Sequence, residues 1–387
     1  MSRLNEHQSR ILTTHTGSLP RPDSLSALLF ARMTKQPYDA ATLQSEMTAA
    51  VAATIRQQLD VGIDIVSDGE QSKTSFQLYA TERLGGIEPI APQLGVYRTR
   101  ENIAFPTFYI NGEHSGSQRS RWACTGPLTY ANLEPLKRDL ENLKAGLNGV
   151  DPVDVFMPSV SPSSCAGTME NRYYKSDEEH VEAVAEVMRV EYETIVAAGF
   201  CVQIDDPRLA MHYMLAPEES VADARKWAAR RIEILNHALR NVPEDRVRHH
   251  TCYGINMGPR TSDMEMKDLA DLIVKIKAKY YSFEMSNPRH EHEWRVWENV
   301  KLPAGKVLMP GCITHSSVIV EHPELVAERI LKIAKIVGRE NVIASTDCGF
   351  ASTLNPKHRP EVEPEIVWEK FRSLRDGARI ATKELWR

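Results

Sequence analysis

SDEEHVEAVAEVMRVEYETIVAAGFCVQID, residues 176–205, holds one complete helix-to-strand unit. Ser176 and Glu179 have the spacing of a capping box, in which the serine hydroxyl accepts an early helix N–H and the glutamate reaches back. Val181, Val184, Met188, Ile195 and Val196 then recur at helical spacing and define one apolar face. Gly199 supplies the stop, and Cys201-Val-Gln-Ile-Asp205 reads as the strand that follows. A second unit repeats this logic: Leu325, Ile330, Ile333 and Val337 line one face, Gly338 ends it, and Val342 opens the next strand. Alternation of this kind is the sequence sign of βα units around a parallel sheet.

Outward from these units, helices are expected near 42–60, 133–147, 218–240, 264–279 and 363–384. Strands are expected near 11–17, 63–68, 119–126, 153–158, 200–205, 247–253, 279–285, 306–311 and 342–347. Nine strands are one more than a (β/α)8 barrel needs, so either 119–126 or 153–158 lies outside it. The stretch 86–118 carries Gly and Pro with little helical periodicity, and reads as a β-hairpin-like excursion over one end of the barrel. Nearly every strand ends in a polar residue: His15, Asp68 and Glu70, Asp205 and Asp206, His250 and Cys252, Glu284, His315, Cys348. In a (β/α)8 barrel those ends converge on the active site. The expected fold is therefore α/β, a single TIM-barrel domain over residues 1–387 with the excursion around 86–118.

The balance of 47 basic against 52 acidic residues gives a net charge of −5, so no global field recruits nucleic acid or anionic membrane. No run approaches the ~18 uncharged apolar residues of a spanning helix. The first residues, Met1-Ser-Arg-Leu-Asn-Glu-His7, lack an apolar signal core, which points to the cytoplasm. Six cysteines at 124, 165, 201, 252, 312 and 348 are scattered, as expected of core residues or metal ligands in a reducing compartment.

His250-Thr-Cys252 closes a β-branched run, and residues two apart on a strand face the same way, so both side chains can reach one metal ion. Glu284 and Cys348 end two later strands and complete an S2NO set suited to zinc. Spacing alone is weak support, since 32 and 64 positions separate Cys252, Glu284 and Cys348 and no CxxC is present. A His-x-Cys pair on a strand is commonly a core cysteine beside a satisfied histidine; the strand-end pattern turns the reading toward ligands. His249 alternates to the opposite face, Cys312 competes as a sulfur ligand, and Cys201 reads as core. Coordination would deprotonate a thiol that otherwise titrates near ~8.5, and Glu284 is the most displaceable ligand.

In this order the segments resemble the catalytic domain of cobalamin-independent methionine synthase and its shorter single-domain relatives. The resemblance runs from Thr14 to about Phe350 and rests on His250-x-Cys252, Phe283-Glu284-x-Ser286, Asp347-Cys348-Gly349 and His15-Thr-Gly-Ser-Leu-Pro20. It implies a zinc-dependent (β/α)8 barrel that methylates an amino-acid thiol, most plausibly homocysteine, from a methyltetrahydrofolate-type or other donor. It also implies substrate carboxylate binding near Thr16 and Ser18, ammonium binding by Glu70 and Asp205, and assistance to methyl transfer by His315. The duplicate N-terminal barrel of the long enzyme is not expected in 387 residues.

Departures bear on the donor. Thr125-Gly-Pro-Leu-Thr129 is followed by Tyr130-Ala-Asn, where the long enzyme places a tryptophan near folate, and Asp206 replaces a glutamate. Short relatives include enzymes that add coenzyme M to an epoxide; for that chemistry Arg172, Arg208 and Arg260 could grip an anion, against their ordinary reading as solvated surface charges. A non-catalytic zinc-binding barrel is the third reading, and the oligomeric state is open. His290 and His292 flank Glu291 but diverge, which favours supporting or surface roles, and Gly311 and Gly349 read as turn glycines.

Overall fold

A computed structural model describes residues 9–91, 98–111, 121–254, 258–352, 354 and 362–387. The N-terminal segment 1–7 and much of the expected excursion lie outside these residues. In chain order the strands are β1 (Leu12–Thr13), β2 (Ile65–Ser67), β3 (Leu84–Ile90), β4 (Arg121–Tyr130), β5 (Asp154–Val160), β6 (Met169–Asn171), β7 (Cys201–Asp205), β8 (Val247–Thr251), β9 (Tyr280–Phe283), β10 (Val307–Ile313) and β11 (Ile343–Thr346).

Eight of them form one parallel sheet in the order β1-β11-β10-β9-β8-β7-β5-β2. The ends meet at Asp64, whose N–H donates to Thr13 O at 3.1 Å while its carboxylate accepts the Thr13 N–H at 2.8 Å. The Arg10 guanidinium grips the same carboxylate at 2.8 and 2.9 Å. The sheet is thus a TIM barrel. Leu12, Ile65, Phe156, Cys201, Tyr280, Val307, Met309 and Ile343 fill its interior, so Cys201 is core as expected.

The surplus strand is resolved by pairing. Asp154–Val160 sits between β2 and β7 in the barrel, whereas β4 pairs antiparallel with β3 and parallel with β6 in a separate three-stranded sheet. The excursion is therefore a strand pair displaced from the expected span, with two short helices, Arg100–Ala104 and Pro106–Asn111, between its strands. Buried ion pairs fasten this sheet to the barrel: Arg83 meets Glu191 at 3.1 Å and Asp139 at 2.5 Å, and Tyr79 and Tyr130 both donate to Glu191.

The helix Asp177–Ala197 begins where the capping box places it, with Glu179 N–H donating to Ser176 Oγ at 3.1 Å. The Glu179 carboxylate returns to the Lys175 N–H, one residue earlier than the motif prescribes. The helix expected over 264–279 is cut to a 3-10 turn, Met266–Asp268, and one turn, Ala270–Ile273. Beyond it the Tyr281 hydroxyl lies 2.8 Å from Ile276 O and 2.9 Å from Ala278 O, a local contact with the turn that leads into β9. Among the described residues no helix is long and apolar enough to cross a membrane.

Because Asp64 closes the barrel through partly buried, charge-assisted bonds, Asp64→Ala should lower unfolding free energy by about 1.5–3 kcal/mol. Urea denaturation measures it; a loss within about 0.5 kcal/mol would show that closure does not depend on this carboxylate.

Candidate functional site

The polar strand ends meet at one mouth of the barrel. His250 and Cys252 follow from β8 and Cys348 from β11, and their ligand atoms lie within 4.8 Å of one another, all buried. The two sulfurs are 3.3 Å apart, and Cys252 Sγ also accepts the Gly254 N–H at 3.2 Å. His250 Nδ1 lies 3.3 Å from Ser282 Oγ, while its Nε2 is buried without a partner. The hydrogen bond with Cys252 together with burial pushes the Cys348 thiol well up, and burial takes His250 down to about 3. An open neutral imidazole nitrogen beside two crowded thiols fits a thiophilic divalent metal, whose charge would favour the thiolates.

Glu284, the fourth expected ligand, follows β9 but stands outside that group. Its carboxylate accepts Arg260 Nη1 at 2.8 Å, Asn287 Nδ2 at 2.8 Å and the Tyr253 N–H at 3.2 Å. Burial raises this carboxyl, but Arg260 outweighs it and holds Glu284 below the usual range. Cys312 is excluded from the cluster: its thiol points to Pro310 O, and burial lifts it to about 12. His249 faces the other way, 3.8 Å from Asp206, whose carboxylate is taken by Ser161 and Ser164.

A pocket opens onto the three ligands and is lined also by Thr16, Ser18, Glu70, Asp205, Phe76, Pro207, Gly349 and Ser352. All four residues expected to hold an amino-acid substrate are in this wall. Glu70 sits at φ 54 after Gly69 at φ 64, a left-handed pair that turns its carboxyl inward, where Oε2 has no partner. Burial raises both Glu70 and Asp205; Asp68 adds to the rise of Glu70 and Glu70 to that of Asp205, while Lys73 draws both acids down. Two buried acids on one pocket wall favour a cationic guest. Gly17, at φ +136, allows the approach: a Cβ there would lie 2.7 Å from Glu70 Oε1. His15 supports the same turn, with Nδ1 accepting the Gly17 N–H at 3.2 Å and Nε2 bonded to Gln58.

His315 is not among the residues lining this pocket; it is buried beside it with both ring nitrogens unpartnered, and burial favours its neutral form. The other expected contacts lie elsewhere. Tyr130 is in the Glu191 network, Arg172 pairs with Glu170 on the surface, and Arg208, part-buried on helix Pro207–Leu215, is outside the lining. Arg260 is buried between Glu284 and Asp263. Gly311 and Gly349 are not turn glycines, since neither has a positive φ. They permit contact: a Cβ on Gly311 would lie 2.0 Å from Asp347 Oδ1, and one on Gly349 2.1 Å from Ser18 Oγ.

With this geometry, comparison with known proteins becomes specific. The sequence profile of the cobalamin-independent synthase catalytic domain matches residues 163–365, more than half of the chain. The chain belongs to that family. The family match contains every ligand candidate, while Thr16, Ser18 and Glu70 lie N-terminal to it. The chain is 24% identical over 378 residues to a methionine synthase of Thermococcus kodakarensis, covering 97% of this chain and 94% of that one. It is 24% identical over 377 residues to one from Saccharolobus islandicus, at 97% and 96% coverage. The solved B12-independent methionine synthase of Shewanella sp. W3-18-1, in complex with selenomethionine, shares the fold with a TM-score of 0.73 at 21% identity, covering 97% of this chain and 99% of that one.

Sequence reasoning missed Phe76, Pro207 and Ser352 in the wall and Asn287 and Asp347 behind it. Ser352 is placed by Phe76, whose N–H donates to Ser352 O at 3.2 Å, a loop-to-loop contact with no periodic signature. His290 has a supporting role. Burial alone would lower it, but bonds to Asp263 and Glu293 raise it to about 9, and His292 is exposed. Its contribution to stability is complete below the ordinary value of about 6.5 and is lost as pH rises through about 9. Between about pH 6 and about pH 10, parent protein should lose on the order of 2 kcal/mol more stability than His290→Gln, measured by urea denaturation; parallel profiles would contradict the protonated assignment.

Proposed function

We propose that this protein is a zinc-dependent methionine synthase, acting as one barrel domain, that methylates the thiol of homocysteine. One observation carries the reading: a single cavity sets His250, Cys252 and Cys348 against Glu70, Asp205, Thr16 and Ser18. A substrate with a thiol at one end and an α-amino acid at the other matches those two walls. The methionine synthases named above, and the selenomethionine complex of the Shewanella protein, support the same substrate class.

His250, Cys252 and Cys348 would hold the zinc, with Glu284 as a fourth and exchangeable ligand. Zinc when bound supplies the positive charge that keeps a thiol ionised at neutral pH. Glu70 and Asp205 hold the substrate ammonium, and the Thr16–Ser18 turn takes the carboxylate. His315, neutral and open at both nitrogens, accepts the thiol proton and returns it to the nitrogen that leaves when the sulfur takes the methyl group. A methyltetrahydrofolate-type molecule is the proposed donor. The rival reading, addition of coenzyme M to an epoxide, needs arginines at the cavity; among the described residues, acids line it instead. A purely structural zinc would not need a pocket with an acid pair beside its ligands.

Cys348→Ser should remove bound zinc and methionine formation together, assayed with homocysteine and mono- or polyglutamyl 5-methyltetrahydrofolate, while Cys312→Ser retains both. Zinc at full occupancy in Cys348→Ser would sink the ligand assignment. Glu70→Gln should raise KM for homocysteine about 10- to 100-fold, the loss of one charge-assisted contact, with zinc content unchanged. An unaltered KM would remove Glu70 from the ammonium site.

A further inference from the structure

Glu284 is completely enclosed, and three donors already address its carboxylate. Oε2 accepts Arg260 Nη1 and Asn287 Nδ2, each at 2.8 Å, and Oε1 accepts the Tyr253 N–H at 3.2 Å. Arg260 is pinned in turn. Its Nε donates to Asp263 Oδ2 at 3.0 Å, and the same oxygen lies 3.0 Å from His290 Nε2. His290 Nδ1 lies 2.9 Å from Glu293 Oε2, and Glu293 Oε1 accepts the Met266 N–H at 2.7 Å. Glu284, Arg260, Asp263, His290 and Glu293 are each less than one-tenth exposed. Together they make a buried row of alternating charge that ends on Glu284. Arg260 is absent from the cavity lining, so the row does not serve the substrate directly.

A carboxylate that leaves a metal in a water-free space must find another partner or remain a stranded charge, which is strongly unfavourable. Here the partner is already built, and it is held in place from behind. We propose that Arg260 is a positioning residue that gives Glu284 a resting place off the metal, so that an incoming substrate thiol can take the fourth ligand position. The guanidinium and the metal compete for one carboxylate. Arg260 thereby sets how readily thiol displaces Glu284. The Asp263–His290–Glu293 row keeps the guanidinium aimed at that carboxylate.

This deepens the zinc–thiol reading and rests on it. One substitution should have two linked consequences, because weakening the resting place favours the ligated state. The full-length protein loaded with cobalt(II) is titrated with L-homocysteine, following the sulfur-to-cobalt charge-transfer band, and cobalt affinity is taken from chelator competition. Arg260→Gln is expected to tighten cobalt about tenfold and to raise the homocysteine midpoint about tenfold, whereas Arg260→Lys stays near the parent. In a Glu284→Gln background, Arg260→Gln should no longer move the midpoint, which a merely structural role for Arg260 would not predict. An unchanged midpoint in Arg260→Gln overturns the proposal while leaving the thiol site standing, as does a shift that survives Glu284→Gln. Should Arg260→Gln fail to fold, Asn287→Ala removes another donor to the same oxygen and is expected to move both quantities the same way by a smaller factor; no movement overturns the proposal. Absence of any sulfur-to-cobalt band in the parent overturns both this proposal and the reading beneath it.

Discussion

The barrel mouth depends on one crossing contact, the Asp347 carboxylate lying over Gly311. Any side chain at 311 would occupy the space of Asp347 Oδ1, and the register between β10 and β11 shifts at this point. Oδ1 accepts the N–H groups of Met285 and Ser286 at 2.7 and 2.9 Å, and Oδ2 accepts Asn287 Nδ2 at 3.1 Å. The residue after β11 is thereby tied to the residues after β9, across the strand between them. Cys348 is covalently next to the tie and Glu284 is next to Met285. Their relative placement follows from this bond set more than from either strand alone.

The rest of the site is arranged around that tie by contacts of the same kind. Gly349 lets Ser18 approach, and the Phe350 N–H donates to Ser18 O at 2.9 Å, which brings the β1 turn beside Cys348. Arg21 donates to the carbonyls of Ala351, Glu70 and Lys73, joining the loops after β11 and β2. The thiol ligands and the acid pair thus belong to one network of short loops on a rigid barrel. That is why the His250–Cys252–Cys348 group and the Glu70–Asp205 pair share one pocket.

Much of this was legible in the chain because barrel strands are short and buried, and their last residues are free to be polar. His250 and Cys252 could be paired from strand alternation alone, and Cys348 from its place at a strand end. Cys312 stayed a competitor because it too closes a β-rich run; the structure buries its thiol with Leu308, away from the Val307 and Met309 face of β10, against Pro310 O. The excess strand stayed open because the stretches 119–126 and 153–158 both carry apolar residues, and only strand pairing places Asp154–Val160 in the barrel and β4 outside it. Arg260 could be read as an anion grip, but its partner is Glu284, 24 residues away and brought near by the loop after β8. Over 264–279 the apolar residues are buried as a helical face would be, but the backbone breaks at Leu269 and turns after Ile273, which apolar spacing does not record.

The central claim is that His250, Cys252 and Cys348 hold a zinc at which Glu284 gives way to a substrate thiol. Zinc K-edge X-ray absorption on the full-length protein, recorded without and with L-homocysteine, addresses it most directly. Two sulfur and two nitrogen or oxygen neighbours are expected without substrate, and a third sulfur replacing one oxygen when homocysteine is added. A first shell that does not change on adding homocysteine, or one that lacks two sulfurs at the start, would contradict it.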